Sequence, residues 1–279
     1  MIETQIPSIA ALHPCFNPQA RNTHARIHLP VAPKCNVQCN FCDRQYACVS
    51  ESRPGVSASI QTPMQAVATL ESALRSGIPV SVAGIAGPGD AFANAEATLD
   101  TLRRIHERYP ELLLCLSTNG VNLLPWIDSL EGLGVSHLTI TVNAVDPEIA
   151  SRLYSWVHID GRLLRGLEAG KALVERQREA LQAAVGHTFF IKVNTVVVPG
   201  INMHHVPLVA ETVAHLGADL HNCIPMIPVA RTPFSGISSP TSEEMQNVRA
   251  LAGAFIPQMT HCNRCRADAC GLLGEGGAA

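Results

Sequence analysis

Residues 35–42 read CNVQCNFC, and they place three thiols, Cys35, Cys39 and Cys42, too close together for a strand and a helix to intervene. A four-iron cluster normally takes four cysteine ligands, so a loop that offers three leaves one iron open for a further ligand. A disulfide needs only two thiols, and a structural zinc site usually wants ligand pairs separated by a dozen residues or more. The spacing therefore points to an iron–sulfur loop with a free coordination position.

Cys15, Cys48, Cys115, Cys223, Cys262, Cys265 and Cys270 bring the total to ten cysteines, beside 12 histidines. Disulfides are rare in a reducing compartment, so metal or redox chemistry is the leading explanation for so many thiols. Cys262 and Cys265, in CNRC, have the two-residue gap that lets two thiolates grip one metal or one cluster, and a further ligand must come from elsewhere. Cys15, from the opposite terminus, is the expected contributor, and Cys270 is a nearer competitor. Cys223, inside the apolar NCIPMIPV, reads as a buried small hydrophobe. His28 lies in the first strand at the same parity as Ala32. Alternation then turns it inward while Ile27 and Leu29 pack against helices. As a ligand, a neutral imidazole would bring no negative charge and would release iron more readily than a thiolate. A core histidine fits the same parity, and His24 is the rival ligand. His106, His187 and His215 read as surface or satisfied core residues.

These residues need elements to position them. The runs IHLPVA, IPVSVAGIAG, LLLCLST, HLTITVNA, FFIKVNTVVV and DLHNCIPMIPVA alternate with stretches of helical length. Examples are residues 62–77, with a Thr-Pro start and a Gly stop, and the stretch from Thr241. Six strand–helix pairs with continuous apolar strands predict an α/β fold, a partial (β/α)6 barrel of TIM type built on a parallel sheet. One domain is expected over 1–279, with an irregular segment over 1–26, a barrel core over 27–257 and an irregular tail over 258–279. Both irregular ends carry cysteines and read as lids over a site. Loops beyond the carboxyl ends of strands carry the chemistry in such folds. CNVQCNFC, GIAGPGD, STNG and NAVD all follow strands and are expected to share one mouth.

Net charge is −3, with 15% charged residues and no long block of either sign, which argues against nucleic acid or an anionic membrane as a partner. No apolar run approaches the roughly 18 residues of a membrane helix. The first residues lack the basic segment and apolar stretch of a secretory signal, so a cytoplasmic protein is expected.

The pattern of Cys35, Cys39 and Cys42, with Phe41 before the last thiol, resembles the radical S-adenosylmethionine (SAM) superfamily. The resemblance implies that SAM chelates the open iron through its amino and carboxylate groups, and that an electron from the cluster cleaves it to a 5′-deoxyadenosyl radical. It further implies that Phe41 and the glycine-rich GIAGPGD loop, through Gly87 and Gly89, meet SAM, with Asn119, Thr141 and Asn143 placed to hydrogen-bond it.

A closer resemblance, carried by residues 13–57, by GIAGPGD and by the ending HCNRCRADACGLLGEG, is to the NifB family of nitrogenase cofactor maturases. It implies an enzyme that fuses two [4Fe-4S] clusters into an [8Fe-9S-C] cofactor precursor, taking a carbide from the SAM methyl group and a ninth sulfur from sulfite. Three [4Fe-4S] clusters are then expected, one that binds SAM and two that are precursors. His28, Cys48 and Cys115 would surround one precursor, and Cys15, Cys262 and Cys265 the other. Glu51 and Arg53, in ESRPGV, would orient ligands or hold charge, a solvated turn being their plainer reading. Cluster donors and nitrogenase cofactor carrier and scaffold proteins are the implied partners. The competing reading is a radical SAM enzyme whose extra clusters serve an organic or peptide substrate.

Overall fold

The computed structural model describes residues 10–273. Among these residues the six expected strands are β1 (Ala25–His28), β3 (Val80–Ile85), β4 (Leu113–Thr118), β5 (Val135–Thr141), β8 (Phe190–Val197) and β9 (Leu220–Pro225). They pair in parallel in the order β1-β3-β4-β5-β8-β9. The helices that return the chain lie on the outside: α1 (Pro63–Arg75), α2 (Ala95–Arg108), α3 (Ile127–Gly132), α4 (Pro147–Leu153), α5 (Gly166–Val185), α6 (Val206–His215) and α7 (Ser242–Ala252). The start signals read in the sequence operate. Thr62 and Thr241 each form a capping box, with Gln65 and Glu244; Asp146, expected only as part of a mouth loop, caps α4 through the backbone N–H groups of Glu148 and Ile149.

Strand alternation divides the residues between two environments. Ile27, Leu29, Leu114, Leu116 and Leu138 face the helices and pack with Leu70, Leu102 and Ile105 in the main core. Burial of each such side chain contributes roughly 1.5–3 kcal/mol. The opposite parity, Arg26, His28, Cys115, Ser117, Lys192 and Asn194, faces the barrel interior. Polar side chains there cost stability unless they are paired, which marks the interior as a binding space rather than a core.

Four strands lie beyond the six. β2 (Val37–Cys39), β6 (Tyr154–Ile159) and β7 (Arg162–Leu164) form a separate antiparallel sheet with its own apolar cluster, which contains Phe41, Val157 and Phe234. This sheet holds the first thiol loop, since Cys39 ends β2, the Asn40 N–H donates to the Leu153 carbonyl, and the Phe234 N–H donates to the Asn40 carbonyl. β10 (Cys270–Gly271) adds antiparallel to the free edge of β1.

The terminal segments cover two different openings. Residues 10–17 pack at the amino ends of the strands, where His13 and Phe16 meet His137 tilted and edge-on and Phe16 meets Phe190 edge-on. The tail leaves β9 at Gln258, which bridges to His221, then ties Arg264 to the Pro225 carbonyl and pairs with β1 through β10. It therefore spans the seam between the two edge strands of a barrel that is not closed by its own hydrogen bonds.

Candidate active site

Two adjoining cavities occupy the carboxyl mouth and the interior, and Ser50, Glu51 and Ser117 line both. Glu51 accepts hydrogen bonds from the Ser117 hydroxyl at 3.0 Å and the Asn194 amide at 2.9 Å, so it stands at the join. Burial pushes its carboxyl above the usual range, against the opposing pull of Lys192.

The outer cavity, about 320 Å³, brings together Cys35, Cys39, Cys42, Cys48, Gly89, Asn119 and Thr141. Its walls are the loops that follow β1 and β3 and the carboxyl ends of β4 and β5, with Asn119 from STNG; the NAVD loop expected here contributes no lining residue. Arg44 donates to the carbonyls of Cys35 and Val37, at 3.0 and 2.6 Å, and so braces the loop from outside. Asp90, buried and unselected in the sequence, organises the wall. It accepts from the Thr118 hydroxyl and from the backbone N–H groups of Asn119 and Phe92. The Asn119 amide donates in turn to the Asn36 side chain at 2.6 Å. Gly89 has a reason of its own. A Cβ there would lie 2.0 Å from the Lys34 carbonyl oxygen, so only glycine lets the GPGD loop pair with the chain entering the thiol loop.

Phe41, Gly87 and Asn143 are not brought to this wall. Phe41 is 1% exposed and packs in the apolar cluster under the loop, near Phe234. Gly87 sits behind Pro88, with its carbonyl accepting from the Ala32 N–H. Asn143 is enclosed, donating to the Tyr154 hydroxyl and accepting from the Val196 N–H.

The inner cavity, about 60 Å³, gathers Cys15, His28, Cys115, Cys262 and Cys265 from both ends and the middle of the chain. The Cys265 carbonyl accepts from the Arg53 N–H, which joins the tail to the ESRPGV loop. Arg26 donates to the Cys265 sulfur at 2.9 Å and to the Gly271 carbonyl. His28 places Nδ1 3.1 Å from the Arg266 carbonyl oxygen, and burial, reinforced by the Arg26 charge, holds its ring down to about 4. Cys48 faces the outer cavity alone, while His28 and Cys115 face the inner one, so this trio straddles the join. Cys223 is fully buried, as read from its apolar run, and Cys270 lies on the outer side of β1 among α1 residues, away from both cavities. His24 does not line either cavity.

Burial raises the thiols, with Cys15, Cys35 and Cys115 at about 12 and Cys39 and Cys48 well above their ordinary value. Thiols so placed stay protonated until a metal replaces the proton, and iron binding would release those protons. Among the described residues, no three His, Cys, Asp or Glu side chains are drawn tightly enough to hold a single metal ion. The fit of a cluster rests instead on the donor type and the shared cavity. Cys35, Cys39 and Cys42 are all thiols on one wall, with room beside them for a ligand of the open iron.

The profile of the radical SAM superfamily matches residues 29–213, which start directly after β1, include the thiol loop and run into α6. The FeMo cofactor biosynthesis protein NifB of Methanocaldococcus infernus is 43% identical over 265 residues, covering 94% of this chain and 86% of that protein. The chain belongs to the NifB family of the radical SAM superfamily. The corresponding protein of Chlorobaculum tepidum is 48% identical over 263 residues, covering 94% of this chain and 62% of its own length. The chain thus spans less than two thirds of such longer NifB-family members. Methylornithine synthase, with a TM-score of 0.54 and 14% identity over 89% of this chain and 76% of its own, shares the partial barrel. Among the described residues no helix is long and apolar enough to cross a membrane.

Lys192, Arg26, Arg264 and Asp90 are the site residues that sequence reading missed. Lys192 stands in FFIKVNTVVV at the inward parity, and a lone cation in a mostly apolar strand was the signal available.

Proposed function

We propose that this chain fuses two [4Fe-4S] substrate clusters into a carbide-containing [8Fe-9S-C] cofactor precursor. The observation that supports this reading is the second cavity. Five candidate cluster ligands converge directly behind a SAM-type cavity, and the two spaces meet at Glu51 and Ser117.

Cys35, Cys39 and Cys42 would hold the resident cluster, which when bound supplies the electron that cleaves SAM. Asn119 and Thr141 would hydrogen-bond SAM, and Asp90 would keep Asn119 in place. Gly89 sets the loop spacing, and Phe41 and Asn143 would act from behind, through the packing of the thiol loop and of Tyr154. His28, Cys48 and Cys115 would hold one substrate cluster at the join, and Cys15, Cys262 and Cys265 the other in the interior. Glu51 faces both spaces and would hold charge between them. The ninth sulfur would come from sulfite, and cluster donors and nitrogenase cofactor carrier and scaffold proteins are the expected partners.

The test is anaerobic incubation of the iron-loaded chain with SAM labelled at its methyl carbon and a reductant. Label in an acid-labile, protein-bound cluster that restores cofactor-deficient nitrogenase is the expected result. Label confined to small organic products would support an organic or peptide substrate instead.

A further inference from the structure

The inner cavity carries more positive charge than its walls account for. Arg26, Lys192 and Arg264 line it against one carboxylate, Glu51. Burial pushes two of its thiols, Cys15 and Cys115, up to about 12. The two arginines are each held by at least one bond, Arg26 by the Cys265 sulfur and tail carbonyls and Arg264 by the Pro225 carbonyl at 2.6 Å, although Arg26 Nε and Arg264 Nε and Nη1 are buried without partners. Lys192 is different. It projects from β8, between β5 and the edge strand β9, in register with Thr139 and Leu220, and is 7% exposed. Among the described residues its ammonium makes no hydrogen bond or ion pair, and its named contact is the face of Phe16 at 4.8 Å. An isolated ammonium in such a place is costly unless something anionic arrives to meet it.

The surroundings identify what would arrive. Cys15, Cys115 and Cys262 line the same cavity from the amino-terminal segment, from β4 and from the tail. Once those thiols exchange protons for iron, the cavity holds thiolates and sulfide, and a cluster ligated in this way is anionic. A fixed positive charge beside a cluster favours its reduced form, because reduction adds negative charge.

We propose that Lys192 is a positioning residue for the inner cavity, whose unpaired ammonium retains an anionic, thiolate-ligated iron–sulfur cargo there and raises that cargo's reduction potential. The inference rests on the proposed function only in taking the cargo to be an iron–sulfur cluster. Phe16 lies beneath the ammonium and offers it an aromatic face rather than a counter-charge.

The experiment uses the whole chain, reconstituted anaerobically with iron and sulfide, and reads iron per chain and the potential of each paramagnetic signal. Lys192→Met and Lys192→Gln are expected to keep the signal of the Cys35–Cys39–Cys42 cluster, which also reports that the barrel has folded. The affinity for iron beyond that cluster should fall by more than about tenfold. Whatever inner cluster remains should be reduced only at a more negative potential. Lys192→Arg should restore both. If both neutral variants keep the inner iron and its potential, or if Lys192→Arg behaves as they do, the inference is wrong while the proposed function stands. If the wild-type chain binds no iron beyond the first cluster, the proposed function fails, and the cargo of Lys192 with it.

Discussion

The outer and inner cavities are built from the same six strands, yet they differ in how the chain supplies them. The outer cavity is lined by the loops that directly follow strands, and its polar groups are tied into bonds around Asp90 before anything binds. The inner cavity draws its thiols from segments more than two hundred positions apart in sequence and leaves Lys192 unpaired. A preorganised wall with satisfied donors suits a small molecule that must be held in one pose. An interior lined by thiols and excess positive charge suits a cargo that brings its own metal and charge.

The sharpest way to separate the two is to remove the outer thiols. With Cys35, Cys39 and Cys42 all replaced by alanine, SAM cleavage should be abolished while inner-cavity iron remains detectable by metal analysis and paramagnetic resonance. Retained cleavage would erase the distinction. Gly89→Ala comes next. Its Cβ would meet the Lys34 carbonyl at 2.0 Å, so the GPGD loop must move, at a cost of about 3 kcal/mol or more. SAM affinity should fall with it, and calorimetry on the variant measures both.

His28→Ala acts on the other side of the join. SAM binding and the first cluster should survive, whereas iron in the inner cavity and methyl-label incorporation should drop together. Unchanged iron and product would remove His28 as a ligand.

The smallest effect concerns acid. Burial holds His28 and His221 down to about 4 and His137 to about 3, from an ordinary 6.5. The unfolded chain therefore binds protons that these rings refuse, and stability present at neutral pH is lost as pH falls from about 6.5 toward 4. His137→Phe, which keeps a ring against Phe16 and Phe190, should flatten that loss in denaturant titrations of the metal-free chain. An equally steep profile would assign the acid sensitivity elsewhere.

The sequence made the outer cavity more legible than the inner one, for physical reasons. Short-range spacing and strand parity identified the thiol loop, the six parallel strands and the inward turn of His28, because all of these are local. The β6–β7 hairpin went unread although Asp160 and Gly161, both at positive φ, form the kind of turn that joins two antiparallel strands. It lay inside a stretch long enough to be taken as part of the helical return. Phe41 and Gly89 show a second limit: motif position marks them as near a cofactor, while packing reveals one as an apolar foundation and the other as a point of backbone approach. Lys192 offered only its lone charge in a mostly apolar strand and Arg26 offered no signal, since their meaning depends on termini that meet them only in three dimensions.

The central claim is that the outer cavity cleaves SAM and the inner one holds the cargo that receives its carbon. The most direct measurement replaces Cys15, Cys262 and Cys265 together with alanine and follows methyl-labelled SAM in the reduced, iron-loaded chain. The account predicts that this variant still cleaves SAM but places no label in an acid-labile cluster, whereas the wild type does both. Label incorporated into such a cluster at the wild-type rate by the variant would contradict it.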